Sequence, residues 1–415
     1  MQGKTAARGQ SDAQAASIAS AGVSMPADRP MTRTYLDHNA TSPLRPEARE
    51  AALAAMDAGN PSSVHAEGRA ARLMVENARA EVARLAGVAP RSVTFVSSGA
   101  EAANTALNCR FGVGQKETAL ERLIVGAGEH PCVLNGRRFP DSAVEVAPLR
   151  ADGRIDVDWI EAACRKPGRV LLALQGANNE TGVIQPIAEA SALVHVAGGR
   201  VFCDAVQLAG RTACDISALG ADALGLSAHK MGGPKGAGAI AAASASFNLG
   251  EPLIRGGGQE RGARAGTENV AAIAGFGAAA RACFDSTADE GPRLLLLRDR
   301  LADAVRDAAP DAVIFGETAP RLPNTLCFAV PGVEATTLMI ALDLAGVAAS
   351  SGSACSSGKV TPSHVLRAMG VRPELARGAI RLSLGWTSLD SDVERFAEAF
   401  RAALRRMRPS ERASP

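Results

Sequence analysis

Five clusters of polar residues each follow a short apolar run or sit in a small-residue loop, and each holds side chains able to do chemistry. The sharpest is Ser227-Ala228-His229-Lys230-Met231-Gly232-Gly233-Pro234-Lys235-Gly236, behind Ala223 to Leu226. A lysine flanked by serine, histidine and glycines suits an amine nucleophile placed where a carbonyl compound can approach the backbone. The plainer alternative is a solvated loop lysine among turn glycines. Val201-Phe202-Cys203-Asp204-Ala205-Val206-Gln207 puts a carboxylate at the end of a buried run, with an amide three residues on. Such an aspartate can keep the ring nitrogen of a bound heterocycle protonated, or simply cap a helix. In Gly128-Glu129-His130-Pro131-Cys132 the histidine can stack on a ring and move protons near neutrality, or be structural. Asn178-Asn179-Glu180-Thr181-Gly182 is dense in donors and acceptors, and is equally a good turn sequence. The last cluster, Ser350 to Gly358, presents Cys355 among small polar residues. A cysteine in such surroundings is not a core packer, and exposure is what a reactive thiolate needs.

Loops so far apart in sequence meet only if a scaffold gathers them. The apolar runs Val93 to Val96, Leu123 to Val125, Val170 to Leu174 and Val201 to Cys203 each precede a turn and then a helical pattern. That alternation predicts an α/β fold with a mostly parallel sheet and helices on both faces. In such sheets ligands bind beyond the carboxyl ends of the strands, where these clusters fall. The apolar spacing predicts helices over Ala66 to Leu85 and Val393 to Leu404, the latter behind a Ser391 to Glu394 capping box. Near Gly291-Pro292 the pattern changes to a long Leu-rich helix followed by strands at Asn324 to Val330 and Ala379 to Leu384, and a domain boundary is expected there.

Composition narrows the function class. The 415 residues exceed the ~250 to 300 at which single cores stop growing, so two domains are expected. Hydrophobic residues at 47% and charged residues at 21%, with no apolar run near the ~18 of a membrane span, exclude disordered and membrane classes. A net charge of +2 lacks the basic excess of a nucleic-acid binder. No GxxxxGK[ST] or strand-borne GxGxxG supports a nucleotide fold. Eight cysteines without a CxxC pair or secretory h-region read as reduced thiols in a cytoplasm and hold no metal, with Cys109, Cys164, Cys203, Cys283 and Cys327 as core packers. The Ala/Ser/Gln/Gly-rich start up to Pro30 reads as a disordered tail or over-long start, with a targeting peptide as the alternative.

Taken together, Tyr35-Leu36-Asp37-His38-Asn39-Ala40-Thr41-Ser42-Pro43, Glu129-His130-Pro131, Asn178 to Gly182, Asp204 to Gln207, Ser227 to Lys230, Arg255 to Asn269 and Gly352-Ser353-Ala354-Cys355 resemble, in order, the motifs of cysteine desulfurases of the NifS/IscS type. The resemblance runs from about Tyr35 to about Phe400. It implies a fold-type-I pyridoxal 5'-phosphate enzyme that is related to class V aminotransferases, works as a homodimer and takes sulfur from L-cysteine to leave L-alanine. It also implies a large domain with a mostly parallel seven-stranded sheet over 47–288 and a smaller α+β C-terminal domain over 289–408. An N-terminal arm over 33–46 would pack with the small domain, and 1–32 and 409–415 would be tails.

By the same resemblance Lys230 binds the cofactor's aldehyde, Asp204 partners its pyridine nitrogen and Gln207 donates to its phenolic oxygen. His130 looks like the ring-stacking acid/base residue, Asn178 like a contact to cofactor and substrate, and Ser227 and His229 like phosphate ligands. Thr267 would reach the phosphate of the neighbouring subunit, and Arg381 would grip the substrate carboxylate. One departure stands out: where the family shows Ser-Gly-Ala-Thr-Glu at the phosphate helix, this chain has Ser98-Gly99-Ala100-Glu101-Ala102. The backbone N–H groups of Ala100 and Glu101 would still cradle phosphate, with the Glu101 side chain turned away. In the implied reaction Lys230 removes the substrate α-proton and Cys355, as thiolate, takes the sulfur as a persulfide. From a loop of small residues that swings outward, Cys355 would then hand it to a protein acceptor such as an iron–sulfur scaffold. A selenocysteine lyase or a class V aminotransferase of the same fold is the alternative, and transamination needs no thiol nucleophile.

Overall fold

The computed structural model describes residues 33–352 and 363–408, and residues 355–356 and 359–360 by their backbone alone. The expectations for tails over 1–32 and 409–415, and for a swinging loop around Cys355, lie outside the described residues.

Seven short apolar runs form one sheet: β1 (Val93–Val96), β2 (Arg122–Gly126), β3 (Val144–Ala147), β4 (Val170–Gln175), β5 (Arg200–Asp204), β6 (Ala223–Ser227) and β7 (Gly238–Ala242). Their spatial order is β1-β7-β6-β5-β4-β2-β3. The pairs from β6 across to β3 are all parallel, whereas β7 runs antiparallel to both β6 and β1. Side chains alternate across a pleated strand, so both faces carry apolar residues and both must be covered. Leu172, Leu174, Val201 and Cys203 pack into one core, and Leu171, Ala173 and Phe202 into another on the opposite face.

The first of these cores is closed by α1 (Ala66–Ala86) and by the long α3 (Val270–Ala308). Gly87, at φ 69°, ends α1 in the left-handed conformation that a glycine adopts without a side-chain clash. The two helices touch backbone to backbone: a Cβ placed on Gly277 would lie 2.5 Å from Ala78 Cα. On the other face α2 (Gly99–Ala106) starts directly behind β1, its N-terminus capped by Ser98 Oγ, which accepts from Glu101 N–H at 3.1 Å.

A second, four-stranded sheet holds β8 (Val313–Ile314), β9 (Thr325–Ala329), β10 (Ser350–Ser351) and β11 (Ile380–Ser383) in the order β10-β11-β9-β8, all pairs antiparallel. It packs through Phe328, Leu326 and Leu382 against Phe396 and Phe400 of α4 (Asp390–Met407). The chain start joins this region, because Thr34–Tyr35 pairs in parallel with Val347–Ala348 and Thr34 Oγ1 donates to Asp392 at 3.0 Å.

Three expectations are corrected. The helix near Gly291-Pro292 does not begin there but runs unbroken from Val270, with Pro292 inside it. Its first half belongs to the core of the large sheet and its second half, from Leu294, to the core of the small one, so packing on both sides outweighs the local breaker signal. The α4 cap is not Ser391 but Leu389, two residues earlier, and Asp392 Oδ2 accepts from Leu389 N–H at 2.9 Å. Cys109 is exposed rather than packed, since it sits in a turn beyond α2, and Cys164 is only half-buried. From Thr34 onward the chain is one compact unit. Among the described residues no helix is long and apolar enough to cross a membrane, and no cluster of His, Cys, Asp and Glu could hold a metal ion.

Candidate active site

The carboxyl ends of β2, β4, β5 and β6 and the N-terminus of α2 open on one cavity of about 380 Å³. Lys230, Asp204, His130, Gln207, Ser227, His229, Ala100 and Arg381 all line it, so residues from 100 to 381 converge on one cavity. Asp204 is the last residue of β5 and points its buried carboxyl into the cavity floor, where Oδ1 accepts from Val206 N–H at 3.0 Å. Burial raises its pKa to about 6, against the opposing effects of that hydrogen bond and of Lys230. Lys230 follows β6 in a short 3-10 turn, and its Nζ donates to the carbonyls of Asn39 at 2.7 Å and Ala40 at 3.0 Å. Burial, then Arg211 and Arg381, lower its pKa to about 8, which leaves a usable fraction of free amine near neutrality. Gln207 donates to Asn39 O at 3.0 Å, while its Oε1 is buried without a partner.

At the α2 end, Ser98, Gly99 and Ala100 present the helix N-terminus to the cavity. A Cβ on Gly99 would lie 2.8 Å from Val206 Cγ2 and 3.4 Å from the Ser227 Cβ, so a side chain here would fill the cup where backbone, Ser227 and the helix end meet. Burial and the charges of Lys230 and Lys235 lower His229 to about 4, so it is neutral, with Nδ1 3.2 Å from Thr41 Oγ1. Glu101 turns out of the cup: its carboxylate accepts from Ser97 N–H at 2.7 Å and Ser97 Oγ at 2.5 Å, and pairs with Arg264 Nε at 3.1 Å. Its backbone N–H is taken by Ser98 Oγ.

On the same cavity, Arg381 of β11 is held between Asp37 Oδ1 at 2.6 Å and the Asn179 carbonyl at 3.1 Å, with its Nε buried and unpartnered. Asn178 does not face the cavity. It is buried behind the wall, its Oδ1 accepting from Glu180 N–H and Thr181 N–H, both at 2.9 Å, and its Nδ2 donating to Gly128 O at 3.2 Å. Its neighbours Asn179 and Glu180 line the cavity instead. Thr267 is exposed and outside the lining residues of this chain's cavity. Cys355 lies in a two-residue strand, Cys355–Ser356, paired antiparallel with Lys359–Val360, and the reading of its thiol lies outside the described side chains.

Sequence reading gave no role to Asp37, Asn39, Cys132, Asn179 or Glu180, although all stand inside the motifs quoted above. Spacing marks such runs but does not say which member faces inward.

The donor set fits pyridoxal phosphate. A helix N-terminus with Ser227 and His229 suits the phosphate, Asp204 the ring nitrogen and Lys230 the aldehyde, while Gln207 lines the same cavity with its donor Nε2 engaged by Asn39 O. The aminotransferase class-V model matches residues 34–396. The chain is 39% identical over 376 residues to a cysteine desulfurase of Cereibacter sphaeroides, covering 89% of this chain and 95% of that one. It is 40% identical to a cysteine desulfurase of Frankia sp. (strain EuIK1), covering 92% and 93%. Among solved structures, a NifS-like protein from Rickettsia africae superposes with a TM-score of 0.80 at 34% identity, over 89% of this chain and 99% of that one. A seven-stranded sheet whose strand ends bring a lysine and an aspartate to one cavity, an arginine of the second sheet on the same cavity, and a match over nearly the whole chain lead to one conclusion: the chain belongs to the class-V aminotransferase family, among its NifS/IscS-type members.

Proposed function

We propose that this protein is a cysteine desulfurase that uses pyridoxal phosphate to take sulfur from L-cysteine, leaving L-alanine. The observation that carries the reading is that one cavity is lined by a lysine with its pKa lowered to about 8, by Asp204 at a strand end and by an arginine braced by Asp37 and Asn179. When bound, pyridoxal phosphate supplies the electron sink that takes up charge from the substrate α-carbon. Asp204 keeps that sink protonated, Arg381 fixes the substrate carboxylate, and Lys230 holds the cofactor and moves the α-proton. Asp37 and Asn179 hold the Arg381 fork in place.

The sulfur goes to Cys355. In that step the substrate's C–S bond breaks and an S–S bond forms; the carbon keeps the electron pair and gains a proton, giving L-alanine and a Cys355 persulfide. Cys132, a thiol that lines the cavity, is unsuited to the role: burial, with the charges of Asp204 and Glu129, pushes it up to about 12, far from a thiolate at neutral pH. The protein acts as a homodimer in the cytoplasm, with Thr267 serving the partner subunit's phosphate, and passes its sulfur to a protein acceptor such as an iron–sulfur scaffold. The exposed Leu53, Met56, Val64 and Leu73 support a subunit contact.

The test is sulfide and alanine release from L-cysteine under reductant. Wild type releases both in equal amounts, Cys355→Ser binds cofactor but releases no sulfide, and substantial sulfide from that variant overturns the persulfide route.

A further inference from the structure

The geometry around the His130 ring is specific. His130 caps the short helix Pro131–Leu134, and its Nδ1 accepts from the backbone N–H of Cys132 at 3.2 Å. The Cys132 Sγ lies 3.0 Å from the same Nδ1. A backbone amide only donates, so Nδ1 carries a lone pair and the neutral ring keeps its hydrogen on Nε2. With its pKa pushed up by burial, the thiol also keeps its hydrogen and is a second donor to that lone pair. A proton on Nδ1 would be set against both donors.

We propose that Cys132 is a positioning residue for His130: its thiol, beside its own N–H, holds the imidazole in the Nε2–H form, so that His130 meets the substrate as a hydrogen-bond donor and leaves the role of base to Lys230. This deepens the desulfurase reading and rests on it for the identity of the substrate. The tautomer itself is a property of the chain. Burial, then the positive charges of Lys230 and His364, already lower His130. The carboxyl next to it, Glu129, is fully buried and raised well above the usual range, and Asp204 stands on the cavity floor. Against that background the thiol's donation further favours the neutral ring, and removing it returns His130 toward ordinary basicity.

The full-length chain, loaded with pyridoxal phosphate and labelled with nitrogen-15 in its six histidines, reads this directly by imidazole NMR, with a His130→Asn sample assigning the signal. Wild type is expected to show a bare Nδ1 and a protonated Nε2. In Cys132→Ala the titration of His130 moves up by about half a pH unit and the Nε2–H share falls, while Cys132→Ser, which restores a donor, titrates at or below wild type. Cys132→Val, close in volume but without a donor, takes the place of the alanine variant if that one does not fold. An alanine or valine variant that titrates as wild type, or a wild type with its hydrogen on Nδ1, overturns the proposal. If wild type releases no sulfide from L-cysteine, the desulfurase reading fails while these spectra still decide the tautomer.

Discussion

Lys230 and Lys235 stand five positions apart in one glycine-rich run, and only burial separates them as chemical groups. Lys230 lines the cavity with a lowered pKa, whereas Lys235 does not line it. Borohydride reduction of the loaded protein should therefore fix the cofactor's mass on the peptide at Lys230, and Lys230→Ala should lose the bound chromophore. Label on Lys235 would show that the wrong lysine has been chosen. Glu180 gives a second residue-scale prediction. Burial raises it from the ordinary 4.5 to about 7, against the hydrogen bond from Ser363 at 2.5 Å and the charge of Arg381. A carboxyl that binds its proton more tightly when folded contributes stability below pH 4.5 and loses it as pH rises through 7. Glu180→Gln should thus gain on wild type by about 3 kcal/mol between pH 4.5 and 8. Urea unfolding at several pH values checks this, and a difference independent of pH would count against it.

Elements meet around the buried pair Arg79–Glu260. Arg79 of α1 reaches both Glu260 oxygens, at 2.7 and 2.8 Å, and Val93 O of β1 at 2.9 Å, while Phe95 N–H donates to Glu260 at 3.0 Å. These bonds hold Glu260 and Arg261 at φ 46° and 58°, a left-handed conformation that side chains disfavour. Arg79→Met should cost about 3 to 5 kcal/mol by stranding the Glu260 carboxylate, Glu260→Gln should cost less because Glu76 still pairs with Arg79 at 3.2 Å, and the double replacement should cost less than their sum, as measured by denaturant unfolding. The start of α2 offers an opposite case. Glu101 interacts favourably with the helix N-terminus but stands beside the phosphate cup. Glu101→Thr should lower stability by about 0.3 to 1 kcal/mol and tighten cofactor binding, both measurable by thermal melts and equilibrium dialysis. Weaker cofactor binding would mean that the pair with Arg264 supports the cup.

Over the whole molecule, the exposed Thr267 and the exposed apolar residues between Leu53 and Leu73 bear on the proposed dimer. An inactive Lys230→Ala chain mixed with an inactive Thr267→Trp chain should recover part of the wild-type activity after subunit exchange. One site of the mixed dimer then has an intact lysine and an intact partner threonine. No recovery, despite exchange shown by mass, would place Thr267 in its own subunit's site or away from the phosphate.

The sequence alone determined the alternation of strands and helices, because apolar runs of four to six residues behind turns leave few other architectures. It also marked motifs that line the cavity, since Lys230, Asp204 and His130 each end or follow a run whose type is readable, whereas Arg381, inside β11, was marked only by the family resemblance. Local signals failed where packing overrode them: Pro292 reads as a breaker, yet cores on both sides keep α3 continuous. They failed again inside the motifs, where Asn178 and Asn179 are chemically alike. Only the tertiary structure turned the first into a buried brace and the second into a wall of the cavity. The pairing of Asp37 with Arg381, 344 positions away, has no trace in spacing at all. Side-chain direction and long-range partners depend on where the backbone lies relative to distant elements, and no run of residue types encodes that position by itself.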